Sequence, residues 1–175
     1  TKYLTVGFFG RLEYYKGIDI FIELLNKMDK IVGKDQIKVI IAGVGLLPDL
    51  SYIKNIKIEV YNYFIDIKLF NNLVSSTDLI LLPYRQASQS GVLMKAITYN
   101  IPVISNDLEE LNMHIVDDVT GKIVDISNLD MWVSELNYFI KNKDILTQFS
   151  NNIKKSKSNY NPVIISSTSI YFSSA

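Results

Sequence analysis

Unbroken apolar runs of strand length alternate along this chain with stretches whose apolar residues recur every three or four positions. Tyr3–Phe9, Ile37–Ala42 and Leu79–Leu82 are the clearest runs. A sheet with one wet face would alternate polar and apolar residues, so these runs predict a parallel sheet covered on both faces. Ile18, Phe21, Ile22, Leu25, Met28 and Val32 mark a helix from about Gly17 to Ile31. Ile67, Phe70, Leu73 and Val74 mark another, with Asp66 as its N-cap. Val92, Leu93, Ala96 and Ile97 give a short helix. Leu129–Ile140 and Ile145–Ile153 give two amphipathic ones. Ile56–Val60, Pro102–Ser105 and an edge strand at Gly121–Val124 complete the pattern. The predicted class is α/β, a doubly wound parallel sheet with helices on both faces.

A chain of 175 residues has room for one sizeable core. Residues 1–157 are expected to form that domain, and 158–175 a Ser-rich C-terminal tail with scattered Ile, Tyr and Phe. Thr1 stands inside the first strand pattern with no Met or signal peptide before it, so a piece of a longer protein is expected. Lys and Arg (18) balance Asp and Glu (18), which leaves no global positive field to hold nucleic acid. No cysteine is present, which removes disulfides, thiol catalysis and thiolate metal sites and favours a cytoplasmic setting. With one histidine, His114, and no His-x-x-x-His pair or acidic metal loop, no metal site is expected. No apolar run approaches the roughly twenty residues of a membrane span.

In a doubly wound sheet, ligands sit beyond the C-terminal strand ends, so the candidate residues are sought there. Gly10-Arg11-Leu12 leaves the first strand and Lys16-Gly17 opens the next helix, which brings a guanidinium and an ammonium to one rim. Such a pair suits a diphosphate, although two solvated cations near a turn are equally ordinary. Ser88-Gln89-Ser90-Gly91 precedes a helix, where free N–H groups and the dipole favour an anion; a plain Ser N-cap is the bland alternative. Gly43-Val44-Gly45 lacks the third glycine of a dinucleotide fingerprint, and neither a Walker sequence nor an Asp-x-Asp occurs. Adjacent Glu109 and Glu110 point to different helix faces and are expected to be solvated or capping groups.

Taken in order, these segments resemble the C-terminal, donor-binding lobe of glycosyltransferase family 4, a retaining class of the two-lobed GT-B type. Gly10-Arg11-Leu12 with Lys16-Gly17 resembles the family's G-R-L…K-G signature, and Val39–Gly45 its second strand and glycine turn. Thr77–Arg85 is similar to its A-D-hydrophobic-P strand. Gln86–Leu93, followed by Asn100–Ile104, resembles the subgroup whose loop reads A-S/T-Q-S-G-V before G-x-P-V-I. The chain departs from the usual pattern at two loop glutamates, replaced by Ala87 and Lys95, and at a glycine replaced by Asn100. Asp118–Gly121 keeps only part of a D-G-x-T-G turn.

The resemblance implies Arg11 and Lys16 as the catalytic cations on the diphosphate. It implies donor contacts from Gly10, Ser88, Ser90, Gly91, Val92 and Lys95, with Tyr63 and Phe64 beside the nucleobase. The co-substrate would be a UDP- or GDP-linked sugar, with no other cofactor and no metal. The acceptor would be a glycan or an undecaprenyl-diphosphate-linked chain, met by an N-terminal lobe of the same enzyme, in assembly of O-antigen, lipopolysaccharide or capsule. Lys141, Lys143, Lys154, Lys155 and Lys157 beside Phe139, Ile140 and Phe149 offer a peripheral contact with the cytoplasmic face of the inner membrane, against the simpler reading of a solvated helix end. The competing functional class is a degenerate Rossmann-like interaction module that binds no nucleotide. A sugar-phosphate isomerase of similar build would need more than one histidine.

Overall fold

The computed structural model describes residues 3–157. Six strands, β1 (Leu4–Phe9), β2 (Ile37–Ala42), β3 (Lys57–Tyr61), β4 (Leu79–Leu82), β5 (Val103–Ser105) and β6 (Gly121–Ile123), form one sheet in the order β3-β2-β1-β4-β5-β6. Every pairing is parallel. The helices are α1 (Ile18–Asp29), α2 (Ile67–Ser75), α3 (Gly91–Thr98), α4 (Glu109–Asn112), α5 (Leu129–Lys141) and α6 (Lys143–Lys157), and a 3-10 turn at Tyr14–Lys16 precedes α1. The strand order reverses between β1 and β4, so a crevice opens where their C-terminal ends diverge.

The continuous apolar strands bury both faces. Val6, Phe8, Val39, Ile41, Leu79 and Leu81 pack with Phe21, Leu25, Trp132, Leu136 and Phe139 on one side of the sheet. Phe9, Ile40, Ala42, Ile80 and Leu82 pack with Phe70, Val74, Leu93 and Ala96 on the other. Successive strand residues alternate between these two cores, as a pleat requires. Asp78 ties β4 to β1 by accepting the Thr5 N–H at 2.7 Å.

The Asp66 carboxylate accepts the Leu69 N–H at 2.8 Å, the N-cap its position predicts. The first helix ends at Asp29, and Val32 is buried in the turn beyond it, where it fills the core without belonging to the helix. Glu109 and Glu110 lie exposed in the first turn of the short α4, and His114 is on the surface. Asn100, standing where the resembled family carries glycine, has φ +59°, a left-handed conformation that Asn tolerates better than most side chains.

Phe139 and Phe149 are buried and meet edge to face at 6.0 Å, so these rings belong to the core. That removes the aromatic half of the proposed membrane contact, since the helical period turns them inward. Among the described residues no helix is long and apolar enough to cross a membrane. The tail 158–175 and the strand assignment at Thr1 lie outside the described residues.

Candidate functional site

Three loops leave the C-terminal edge of β1, β2 and β3 and are laced together by backbone. Gly10 N–H donates to Ala42 O at 3.0 Å, Leu12 N–H to Val44 O at 2.9 Å, and Gly43 N–H to Tyr61 O at 3.1 Å. Gly45 and Asn62 exchange a reciprocal pair, at 3.2 Å to the Asn62 carbonyl and 3.0 Å from its amide. A side chain at Gly43 would overlap the Gly10 carbonyl, so the close approach of these loops requires glycine there.

Across the crevice, β4 ends at Pro83 and the chain runs to α3. Ser90 is buried, and its hydroxyl accepts the Leu93 N–H at 3.2 Å as the N-cap. A Cβ built on Gly10 would stand 3.7 Å from the Val92 side chain, which puts the β1 exit directly beside the first turn of α3. The first N–H groups of this helix therefore face the same rim as the Gly10–Arg11 turn.

Lys16 rises from the 3-10 turn into a cleft of about 430 Å³ lined by Tyr15, Lys16, Gln86, Ala87, Ser88 and Gln89. Its ammonium stands 3.8 Å from the centroid of the Tyr84 ring and 5.4 Å from that of Tyr15. Burial lowers its pKa to about 8; the charge of Arg11 pushes the same way and Glu13 opposes it. Arg11 itself is exposed, with Glu13 3.8 Å away, a weak pairing in solvent. The Tyr84 phenol is fully buried, and desolvation pushes its pKa up, with Ser90 opposing and Tyr15 reinforcing. Its oxygen has no hydrogen bond of good geometry.

The structure thus brings Gly10 beside Val92 in the first turn of α3, which Ser90 caps and Gly91 opens. It sets Lys16 in one cleft with Ser88 and leaves the exposed Arg11 close enough for its charge to act on Lys16. Lys95 lies one helical turn beyond Gly91 and is half-buried. Tyr63 and Phe64 are exposed at the β3 exit, two strands away from β1, on the same sheet edge. Position along the chain assigns Tyr84 and Arg85 no role beyond the end of a strand. Tyr84 is completely buried, and Arg85 pairs with Asp19 at 2.7 Å. An aromatic residue followed by arginine directly after a strand-ending proline was the available signal. Among the described residues no group of three or more His, Cys, Asp or Glu side chains is placed to hold a metal ion.

Sheet order and helix placement define a single Rossmann-like α/β lobe, with two cations and a helix N-terminus at the C-terminal ends of its strands. The chain belongs to the glycosyl transferases group 1 family, whose sequence profile matches residues 1–156. It is 26% identical over 154 residues to an uncharacterized 41.2 kDa protein in the cps region of Klebsiella pneumoniae, covering 85% of this chain and 42% of that protein. It is 29% identical over 119 residues to an uncharacterized glycosyltransferase of Methanocaldococcus jannaschii, covering 65% of this chain and 30% of that one. The chain therefore spans less than half the length of these curated relatives. Its fold is similar to the C-terminal domain of the glycosyl transferase group 1 family protein LpcC from Francisella tularensis. The TM-score is 0.75 at 17% identity, over 89% of this chain and 85% of that one. HepE from Anabaena, solved in complex with UDP-glucose, superposes with a TM-score of 0.70 at 19% identity, over 93% of this chain and 46% of that one.

Proposed function

We propose that this lobe binds the donor of a retaining, metal-independent sugar transfer, a UDP- or GDP-linked sugar, through its diphosphate. The observation that carries the reading is the meeting of the β1 exit with the α3 N-terminus, Gly10 against Val92, with Lys16 in the adjoining cleft. Arg11 offers a planar fork, Lys16 a point charge and the α3 amides a dipole end, so a diphosphate is neutralised by groups of the chain itself.

As the bond from sugar C1 to the diphosphate oxygen breaks, negative charge grows on the leaving nucleoside diphosphate. Arg11, Lys16 and the N–H groups of Gly91 and Val92 are assigned to stabilise it. The acceptor hydroxyl attacks C1 on the face the leaving group departs, and its proton is lost to solvent or to the leaving phosphate. Ser88, Ser90 and Lys95 are assigned to the donor and Tyr63 and Phe64 to the base edge. The acceptor, a glycan or an undecaprenyl-diphosphate-linked chain in O-antigen or capsule assembly on the cytoplasmic side, would be met by a facing lobe. The Klebsiella relative's cps-region name and the shares of length covered support this.

Titration of the chain with UDP, GDP and their sugars, followed by amide NMR, tests the proposal. Shifts at Arg11, Lys16 and Ser90 to Val92 are expected. A spectrum unmoved by all of these nucleotides overturns it and favours an interaction module.

A further inference from the structure

Lys16 stands on a three-residue turn at the surface, a place where a lysine ordinarily wanders. Two residues from the other side of the crevice, Tyr84 and Arg85, are in contact with it or with its turn. We infer that Tyr84 and Arg85 are positioning residues for Lys16: the Tyr84 ring is the floor under its ammonium, and the Arg85 guanidinium fastens the turn that carries it. The functional consequence rests on the assignment of Lys16 to the diphosphate; the positioning itself does not.

Arg85 holds the turn at several points. Its backbone N–H donates to Tyr15 O at 2.8 Å. Its Nη1 donates to Tyr14 O at 2.6 Å and to Asp19 Oδ1 at 2.7 Å, and its Nη2 donates to Asp19 Oδ2 at 2.7 Å. The guanidinium carbon also lies 3.6 Å from the Tyr14 ring centroid. Residues on both sides of Lys16 are thus tied to the segment that leads to Ser90. Asp19 is held below its usual carboxylate range, first by the hydrogen bond from Arg85, as a formed fork requires.

The turn has little freedom to relax in another direction. Gly17 has φ +72°, and a side chain there would overlap the Pro83 carbonyl, so the turn lies against the end of β4. Tyr84 follows at once, its ring fully buried and its face turned to the Lys16 ammonium at 3.8 Å. A cation over a desolvated ring is attracted to its negative face. Held this way, Lys16 meets an anion with much of its rotamer freedom already lost, which reduces what binding must order. Lysine at position 85 could not reproduce the fork, because its ammonium is a point charge.

The experiment reads Lys16 directly. In the full chain, the Lys16 ε-methylene protons are expected well upfield of a solvated lysine, since they lie over an aromatic face; their assignment comes from Lys16→Met. Arg85→Ala and Asp19→Asn should move them at least halfway back, Arg85→Lys should fail to rescue them, and Tyr84→Phe should leave them in place while Tyr84→Leu abolishes the shift. UDP and GDP affinity should fall about tenfold or more in Arg85→Ala, with little further loss when Lys16→Met is added. Unmoved Lys16 signals in Arg85→Ala and Asp19→Asn, with folded amide spectra, overturn the inference. Weaker nucleotide binding with unmoved Lys16 signals also overturns it, because Arg85 would then touch the ligand itself. A displaced Lys16 in a chain whose parent binds neither nucleotide upholds the positioning and overturns the diphosphate reading.

Discussion

The Lys16 ammonium lies 3.8 Å from the centre of the Tyr84 ring, so the cation assigned to the ligand is seated on an aromatic surface. Its pKa of about 8 is low because burial strips water from the charge. A bound diphosphate favours the charged form and raises that pKa. Binding should therefore take up a proton above about pH 8, and affinity should be full below pH 8 and fall as pH rises through it, by up to about tenfold per unit. The folding linkage has the opposite sign. The unfolded lysine holds its proton up to about 10.5, so the Lys16 contribution to stability rises between about pH 8 and 10.5. Calorimetric titration with UDP or GDP in buffers of different ionisation enthalpy checks the first statement; Lys16→Met should flatten the profile.

Removing Arg11 should separate binding from stability. Its guanidinium is more than half exposed and its pairing with Glu13 at 3.8 Å is loose. Arg11→Ala should change folding stability by no more than about 0.5 kcal/mol while weakening nucleotide binding about tenfold or more. Urea denaturation and nucleotide titration of the same variant give both numbers.

Ser90 and Asp66 provide a matched pair. Each caps a helix through its side chain, at α3 and α2. Ser90→Ala and Asp66→Ala should each cost about 1 kcal/mol in denaturant unfolding. Only the Ser90 substitution should also weaken diphosphate binding, because it is the α3 start that Gly10 stands beside.

Gly17→Ala should be strongly destabilising. The new side chain meets the Pro83 carbonyl and the residue needs φ +72°, so the loss exceeds the roughly 1 kcal/mol typical of point substitutions. Gly33→Ala is the control, since a Cβ there meets only the Gln36 side chain at 3.6 Å and beyond. Thermal denaturation of the two variants should separate them by several degrees or more.

The α/β class, the strand positions and the cap at Asp66 were legible in the chain because each depends on local order, while the serine cap before α3 stood only as an alternative within Ser88–Gly91. Apolar runs, three- and four-residue recurrence and a capping side chain act over a single turn or strand. The cation pair was legible for the same reason, since Arg11 and Lys16 sit at the two ends of one short connection. Arg85 was not legible as a partner of Asp19, because 66 residues separate them. The burial of Phe139 and Phe149 likewise depended on which helix faces the sheet receives.

Periodicity along the chain determined that it forms one covered parallel sheet, and local order that two cations and a helix start stand at the ends of its strands. Tertiary structure decided which of those groups share a crevice. The order reversal between β1 and β4 sets Gly10 against Val92 and lays Lys16 over Tyr84, contacts that follow from strand adjacency and from no spacing along the chain. Local preferences act through a few bonds, whereas a site assembled from separate strand ends exists only once the sheet has set their order.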